Sequence, residues 1–253
     1  YNTVPNQVER IFKAQQMHDK KQFLSEIEKN YDVDTAVNYL KPIIADGDMG
    51  HGGVTTVMKL AKLFAEKGAA GIHLEDQLVG GKRCGHLSGA VLVPTSTHLS
   101  RLIATRFQWD LMGTENLIIA RTDSCNAKLI SSTVDSRDHE HIKGIIKPGV
   151  EPLSDKLIRL ESRQEPPVTS QTISDAEAEW YAENLTYTFD EAVEQQISPK
   201  EFGHYKELKA QAMQIHERNY LSLNEMKQLC SQISNAPVYF NWDSPRTMEG
   251  HYI

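Results

Sequence analysis

Cysteine is scarce in this chain of 253 residues: Cys84, Cys125 and Cys230 are an odd number, and no two are spaced as CxxC. That argues against a disulfide framework and against a zinc ribbon, and it fits a reducing compartment. No run of eighteen apolar residues occurs, so no membrane-spanning helix is expected, and Tyr1 to Arg10 have neither signal-peptide nor transit-peptide character. Long blocks of Lys or Arg are also missing, and the formal charge is −7, so neither nucleic acid nor an anionic membrane is an expected partner. Internal repeats and low-complexity tracts are absent. What remains is 40% hydrophobic and 24% charged, the make-up of a globular protein able to bury a core. The chain starts at Tyr1 rather than Met and stops in mid-pattern after Tyr252 and Ile253. Both native ends, and any targeting signal they carry, are therefore expected to lie outside it.

The segment up to about Asn38 reads as helix. From Pro42 short apolar runs take over, each closed by a charged residue and followed by an amphipathic stretch, which is a βα rhythm. Ile43-Ile44-Ala45 ends at Asp46, and the helix after it, about Val54 to Lys67, places Val57, Leu60, Ala61 and Phe64 on one face, with Gly68 as its stop. Gly71 to Leu74 ends at Glu75-Asp76. A helix near Thr97 to Met112 is expected to turn Leu99, Leu102 and Ile103 inward. Leu117 to Ala120 ends at Arg121 and Asp123. Three such units favour an α/β fold with a parallel sheet, and functional residues at the C-terminal strand ends favour a (β/α)₈ TIM-type barrel, here partial. From about Ser131 to Ser234 charged, helix-prone stretches replace the strand runs, suggesting a helical insertion, and Val238 to Trp242 reads as a strand again. The expected organisation is thus 1–130 as N-terminal helix and first part of the barrel, 131–234 as helical insertion, and 235–253 as the return to the barrel.

Asp46 and Asp48 at one strand end, and Glu75-Asp76 at the next, could converge on one hard cation, of which Mg²⁺ is the natural choice because it keeps water and needs few direct carboxylates. The bland alternative is helix capping or solvation. The turn Gly50-His51-Gly52-Gly53 lacks the Lys-Ser/Thr ending of a phosphate-binding loop, so on its own it says little. Lys82-Arg83-Cys84-Gly85-His86 is more informative, since two cations and a histidine beside Cys84 should depress the thiol pKa and make it an acid/base near neutral pH, while Gly85 leaves backbone room for an anion. The alternative is a basic surface loop with an incidental cysteine. Arg121 ends an apolar strand, where a guanidinium needs a partner: either a substrate carboxylate or an ion pair with Asp123. Cys125 and Cys230 read as inert.

Taken together, Pro42-Ile43-Ile44-Ala45-Asp46, the Gly-His-Gly-Gly turn, Gly71-Ile72-His73-Leu74-Glu75-Asp76-Gln77, Lys82-Arg83-Cys84-Gly85-His86 and Ile119-Ala120-Arg121-Thr122-Asp123 resemble the isocitrate lyase family of the phosphoenolpyruvate mutase superfamily. The resemblance implies that Asp46 contacts Mg²⁺ directly, with Asp48 and Glu75 acting through water. It implies that Cys84 is the catalytic acid/base and that Gly85, His86 and Arg121 hold substrate carboxylates. It also implies a homotetramer. Asp48 departs from family members that have Glu there, and the family's Ser-Gly-Trp and Asn-Leu-Ser-Pro-Ser segments do not occur. The Lys-Arg form of the cysteine loop resembles the mitochondrial yeast-type branch acting on 2-methylisocitrate, which implies a methylcitrate-cycle lyase of the mitochondrial matrix giving pyruvate and succinate. Isocitrate, giving glyoxylate and succinate in a glyoxysome, peroxisome or cytoplasm, is the alternative. From another class, the alternative is a non-catalytic metal-binding or assembly subunit.

Overall fold

A computed structural model describes residues 1–27, 36–80, 90–162, 168–233 and 237–253. The chain divides into two compact units, one built from the described residues of Tyr1–Lys82 and Ser96–Asp123 and the other from those of Arg83–Thr95 and Ser124–Ile253.

The first unit is α over parallel β. Helix α1 (Thr3–Ile27) precedes strand β1 (Ile44–Asp46), helix α2 (Val54–Glu66) and strand β2 (Gly71–Leu74). Between β2 and the next strand of this sheet, the chain passes through strand β3 (Val91–Leu92) of the second unit and helix α3 (Thr95–Met112), and it re-enters the sheet as strand β4 (Leu117–Ala120). The sheet order is β1-β2-β4, parallel throughout, with Ala45 opposite Ile72 and Ile72 opposite Ile118. Val57, Leu60, Ala61 and Phe64 are the buried stripe of α2, as their spacing predicts, and they meet Ala45, Ile72 and Leu74 from the sheet. Full burial of each of the Val, Leu, Ile and Phe side chains among them is worth about 1.5–3 kcal/mol. Gly68 closes α2 at φ +92°, where a Cβ would lie 2.5 Å from Phe12 of α1. Helices α2 and α3 meet through Trp109 Nε1, which donates to the Ala61 carbonyl at 2.9 Å from full burial.

One expectation for this unit fails in detail. The inward face of α3 carries Arg101, Ala104, Thr105 and Trp109, while Leu99 and Ile103 are exposed. The burial of Trp109 and the hydrogen bonds of Arg101 set the rotation of the helix, outweighing the smaller gain from the leucine face. Strand β4 is an apolar run, yet Leu117 and Ile119 are exposed along with Ile44 of β1. These residues share one face of the sheet, and helices cover the other.

The second unit is mainly helical: α4 (Leu153–Glu161), α5 (Ser170–Glu183), α6 (Phe189–Gln196), α7 (Pro199–Ile215) and α8 (Leu223–Ile233), with β3, strand β5 (Leu129–Ile130) and strand β6 (His251–Tyr252). The helices α5 to α7 begin with reciprocal caps, such as Ser198 with Glu201. β3 pairs parallel with β5, and β5 pairs antiparallel with β6. Val238 to Trp242 is not a strand. Its alternation is real, for Val238, Phe240 and Trp242 pack on the cluster around Phe189 and Met226, but the backbone forms only a bridge from Asn241 to Ile145. The side-chain amide of Gln196 takes the place of a neighbouring strand: Nε2 donates to the Tyr239 carbonyl at 2.8 Å and Oε1 accepts from Tyr239 N–H at 2.9 Å. Among the described residues no helix is long and apolar enough to cross a membrane.

Candidate active site

The C-terminal ends of β1, β2 and β4 lie side by side because the ladder runs past the strands. Gly47 N–H donates to the His73 carbonyl, Glu75 N–H to the Asp48 carbonyl and Arg121 N–H to the Leu74 carbonyl, each at 2.9 Å. Residues closing three separate βα units in sequence are thereby brought to one rim.

Arg121 is the hub of this rim. Its Nη1 lies 3.1 Å from Glu75 Oε2 and 3.6 Å from Asp46 Oδ2. Its Nε donates to Asp123 Oδ1 at 3.2 Å and its Nη2 to Asp123 Oδ2 at 3.4 Å. Of the two partners weighed for Arg121, the structure shows the ion pair with Asp123 along one edge of the fork, and the other edge faces the carboxylates of Glu75 and Asp46. Glu75 and Asp123 are buried, whereas the side chains of Arg121 and Asp46 are 32% and 43% exposed, so an incoming anion has access to the guanidinium. Burial pushes Glu75 up to about 7; Arg121 opposes this, and the charges of Asp123 and Asp46 add to it.

Asp46 is pinned from two more sides: Oδ1 accepts from Asp48 N–H at 2.8 Å and lies 3.5 Å from His73 Nδ1. His73 is the register partner of Asp46, so the pleat alone sets this contact. Asp48, at φ +50°, turns its carboxylate to His51 Nε2 at 3.3 Å. The structure thus brings Asp46 and Glu75 onto one guanidinium and gives the Asp48 side chain a different partner, while the Asp48 backbone stays beside Glu75. Asp76 accepts from Thr122 Oγ1 at 2.6 Å and from Asp123 N–H at 3.0 Å, which ties the loop after β2 to the loop after β4. Cys84, Gly85 and His86 lie outside the described residues. Cys230 is buried, its thiol pushed up to about 12 by burial, and Cys125 is exposed.

Two buried residues escaped the sequence reading. Gln77 Nε2 donates to Asp123 Oδ2 at 2.5 Å, and Arg101 Nη1 donates to the Gln77 carbonyl at 2.9 Å. Gln77 stands beside Glu75-Asp76 in sequence, and that adjacency was the available signal. Nothing in the pattern of α3 marked Arg101 as inward.

Among the described residues no group of three or more His, Cys, Asp or Glu is arranged as a ready metal cage. The donor chemistry nonetheless suits a hard divalent cation. Asp46, Glu75 and Asp123 offer only oxygen around the single guanidinium of Arg121, so their full ionisation leaves negative charge in excess.

The isocitrate lyase family matches this chain over residues 1–253. The chain is 63% identical to the mitochondrial 2-methylisocitrate lyase of Saccharomyces cerevisiae, over 100% of the chain and 43% of that protein. It is 51% identical to the mitochondrial 2-methylisocitrate lyase of Hypocrea atroviridis, over 100% of the chain and 45% of that protein. To the isocitrate lyase of Pinus taeda it is 40% identical, again over 100% of the chain and 45% of that protein. The chain spans a little under half the length of these relatives. With its strand-end motifs on one rim and a match that runs from end to end, the chain belongs to the isocitrate lyase family.

Proposed function

We propose that this chain supplies the metal- and carboxylate-binding rim of a 2-methylisocitrate lyase of the mitochondrial matrix. The observation that carries the chemistry is the convergence of Asp46, Glu75 and Arg121 from three parallel strand ends. The substrate and the compartment follow the names of the Saccharomyces cerevisiae and Hypocrea atroviridis relatives. Asp46 and Glu75, with Asp48 behind them, would hold Mg²⁺, which when bound lowers the pKa of the substrate C2 hydroxyl and stabilises the carbonyl formed from it.

The chain's own residues do the rest. Arg121 presents its Nη1 edge to a substrate carboxylate and keeps the tricarboxylate oriented. The C2–C3 bond breaks with its electron pair moving onto the succinate carbon, the hydroxyl proton passes to a general base or to solvent, and C2 becomes the carbonyl of pyruvate. His86 and Arg121 offset the charge developing on the succinate half. Cys84 delivers a proton to its carbon, its acidity set by Lys82, Arg83 and His86. The active assembly is the homotetramer that the family resemblance implies.

Steady-state kinetics of the full-length protein with each tricarboxylate tests this reading. We expect kcat/KM for 2-methylisocitrate to exceed that for isocitrate by at least about tenfold, since one methyl in an apolar pocket is worth about 1–3 kcal/mol. A preference for isocitrate would move the protein to the glyoxylate-forming branch.

A further inference from the structure

The mechanism above leaves one buried polar chain without a task. Arg101, 4% exposed, reaches from α3 to the Gln77 carbonyl at 2.9 Å and to the Glu75 carbonyl at 3.4 Å. Gln77, fully buried, passes its side-chain amide to Asp123 Oδ2 at 2.5 Å. Asp123, 6% exposed, in turn takes Nε and Nη2 of Arg121. The backbone of Asp123 is fixed separately, by Asp76. Held by the guanidinium alone, a carboxylate can rotate with it. A donor anchored through the Arg101–Gln77 contact removes that freedom, and so fixes the plane of the Arg121 fork.

We propose that Gln77 is a positioning residue for Arg121, acting through Asp123 so that the Nη1 edge of the fork stays aimed along the rim formed by Asp46 and Glu75, beside which a substrate carboxylate docks. This rests on the reading of Arg121 as the carboxylate clamp. Bidentate recognition of a carboxylate is sensitive to the plane of the guanidinium, and groups that orient a binding residue matter nearly as much as the residue itself.

The test is a double-mutant cycle in the full-length enzyme, with kcat and KM for 2-methylisocitrate read separately and folding checked by thermal unfolding. Gln77→Met keeps the volume and removes the donor; it should lower kcat/KM by about 10- to 100-fold, the usual effect of leaving a buried charge short of one hydrogen bond, with most of the loss in KM. In an Arg121→Lys background, where there is no fork to orient, the same substitution should cost less than about threefold. An equal cost in both backgrounds would make Gln77 a purely structural residue and overturn the proposal, as would no cost in the wild type. If Gln77→Met does not fold, Gln77→Glu, which turns the donor into a second carboxylate against Asp123, runs the same cycle with the same criteria. Arg121→Lys alone separates the two readings: an undiminished kcat/KM there refutes the clamp and the Gln77 role with it, whereas a loss there with additive Gln77 effects refutes the Gln77 role alone.

Discussion

At the scale of single residues, the rim is governed by the burial of Glu75 against a partly exposed guanidinium. Its pKa of about 7 means that the native metal-free protein holds a proton that the unfolded chain releases near the ordinary value of 4.5. The folded state therefore binds more protons between those values, and its stability falls as pH rises from about 4.5 to about 7, then levels off. Glu75→Gln should remove a decline on the order of 1–3 kcal/mol. Denaturant unfolding at pH 5 and pH 7.5 with a chelator present checks this, and a variant with the same slope as the wild type would contradict it. On the proposed reading, a divalent cation would ionise this carboxylate and take it as a ligand. A second prediction concerns Cys84. A serine hydroxyl is a far weaker acid than a thiol, so if Cys84, flanked in sequence by Lys82, Arg83 and His86, is the acid, Cys84→Ser should lower kcat by about 10²–10⁴ and leave substrate binding nearly unchanged. Near-wild-type turnover in that variant would remove Cys84 from the chemistry.

At the scale of elements, periodicity reads well wherever one face alone decides the outcome. Helix α2 is such a case: its four buried residues sit at helical spacing, and its glycine stop follows directly. The strands β1, β2 and β4 were legible for the same reason, with their closing residues Asp46, Glu75 and Arg121. Helix α3 was not, because its inward face is half polar: Arg101 and Thr105 are buried there through hydrogen bonds that no hydrophobic count can weigh. The pairing of Gln77 with Asp123 was illegible for a related reason, since it links residues 46 apart and depends on two loops meeting. Val238 to Trp242 shows the converse failure, a true alternation without a strand. There the backbone of Tyr239 is satisfied by one side chain, so Gln196→Leu should destabilise the protein by about 1–3 kcal/mol through two unpaired main-chain groups. Urea unfolding reads that loss, and a change under a few tenths of a kcal/mol would show that water replaces the amide at no cost.

At the scale of the whole molecule, the chain accounts for a little under half of the length of its relatives, yet it carries the strand-end carboxylates, the guanidinium and the cysteine loop. Ile44, Leu117 and Ile119 leave one face of the three-stranded sheet exposed. The proposal to be tested is that Asp46, Glu75, Arg121 and Cys84 take part in a metal-assisted cleavage of a hydroxylated tricarboxylate. Product analysis by NMR of the full-length protein incubated with 2-methylisocitrate tests it most directly. The account predicts pyruvate and succinate in equal amounts with Mg²⁺ present, none after treatment with a chelator, and recovery when Mg²⁺ is restored. Cleavage that persists undiminished in the chelator, or no cleavage with Mg²⁺ supplied, would contradict it.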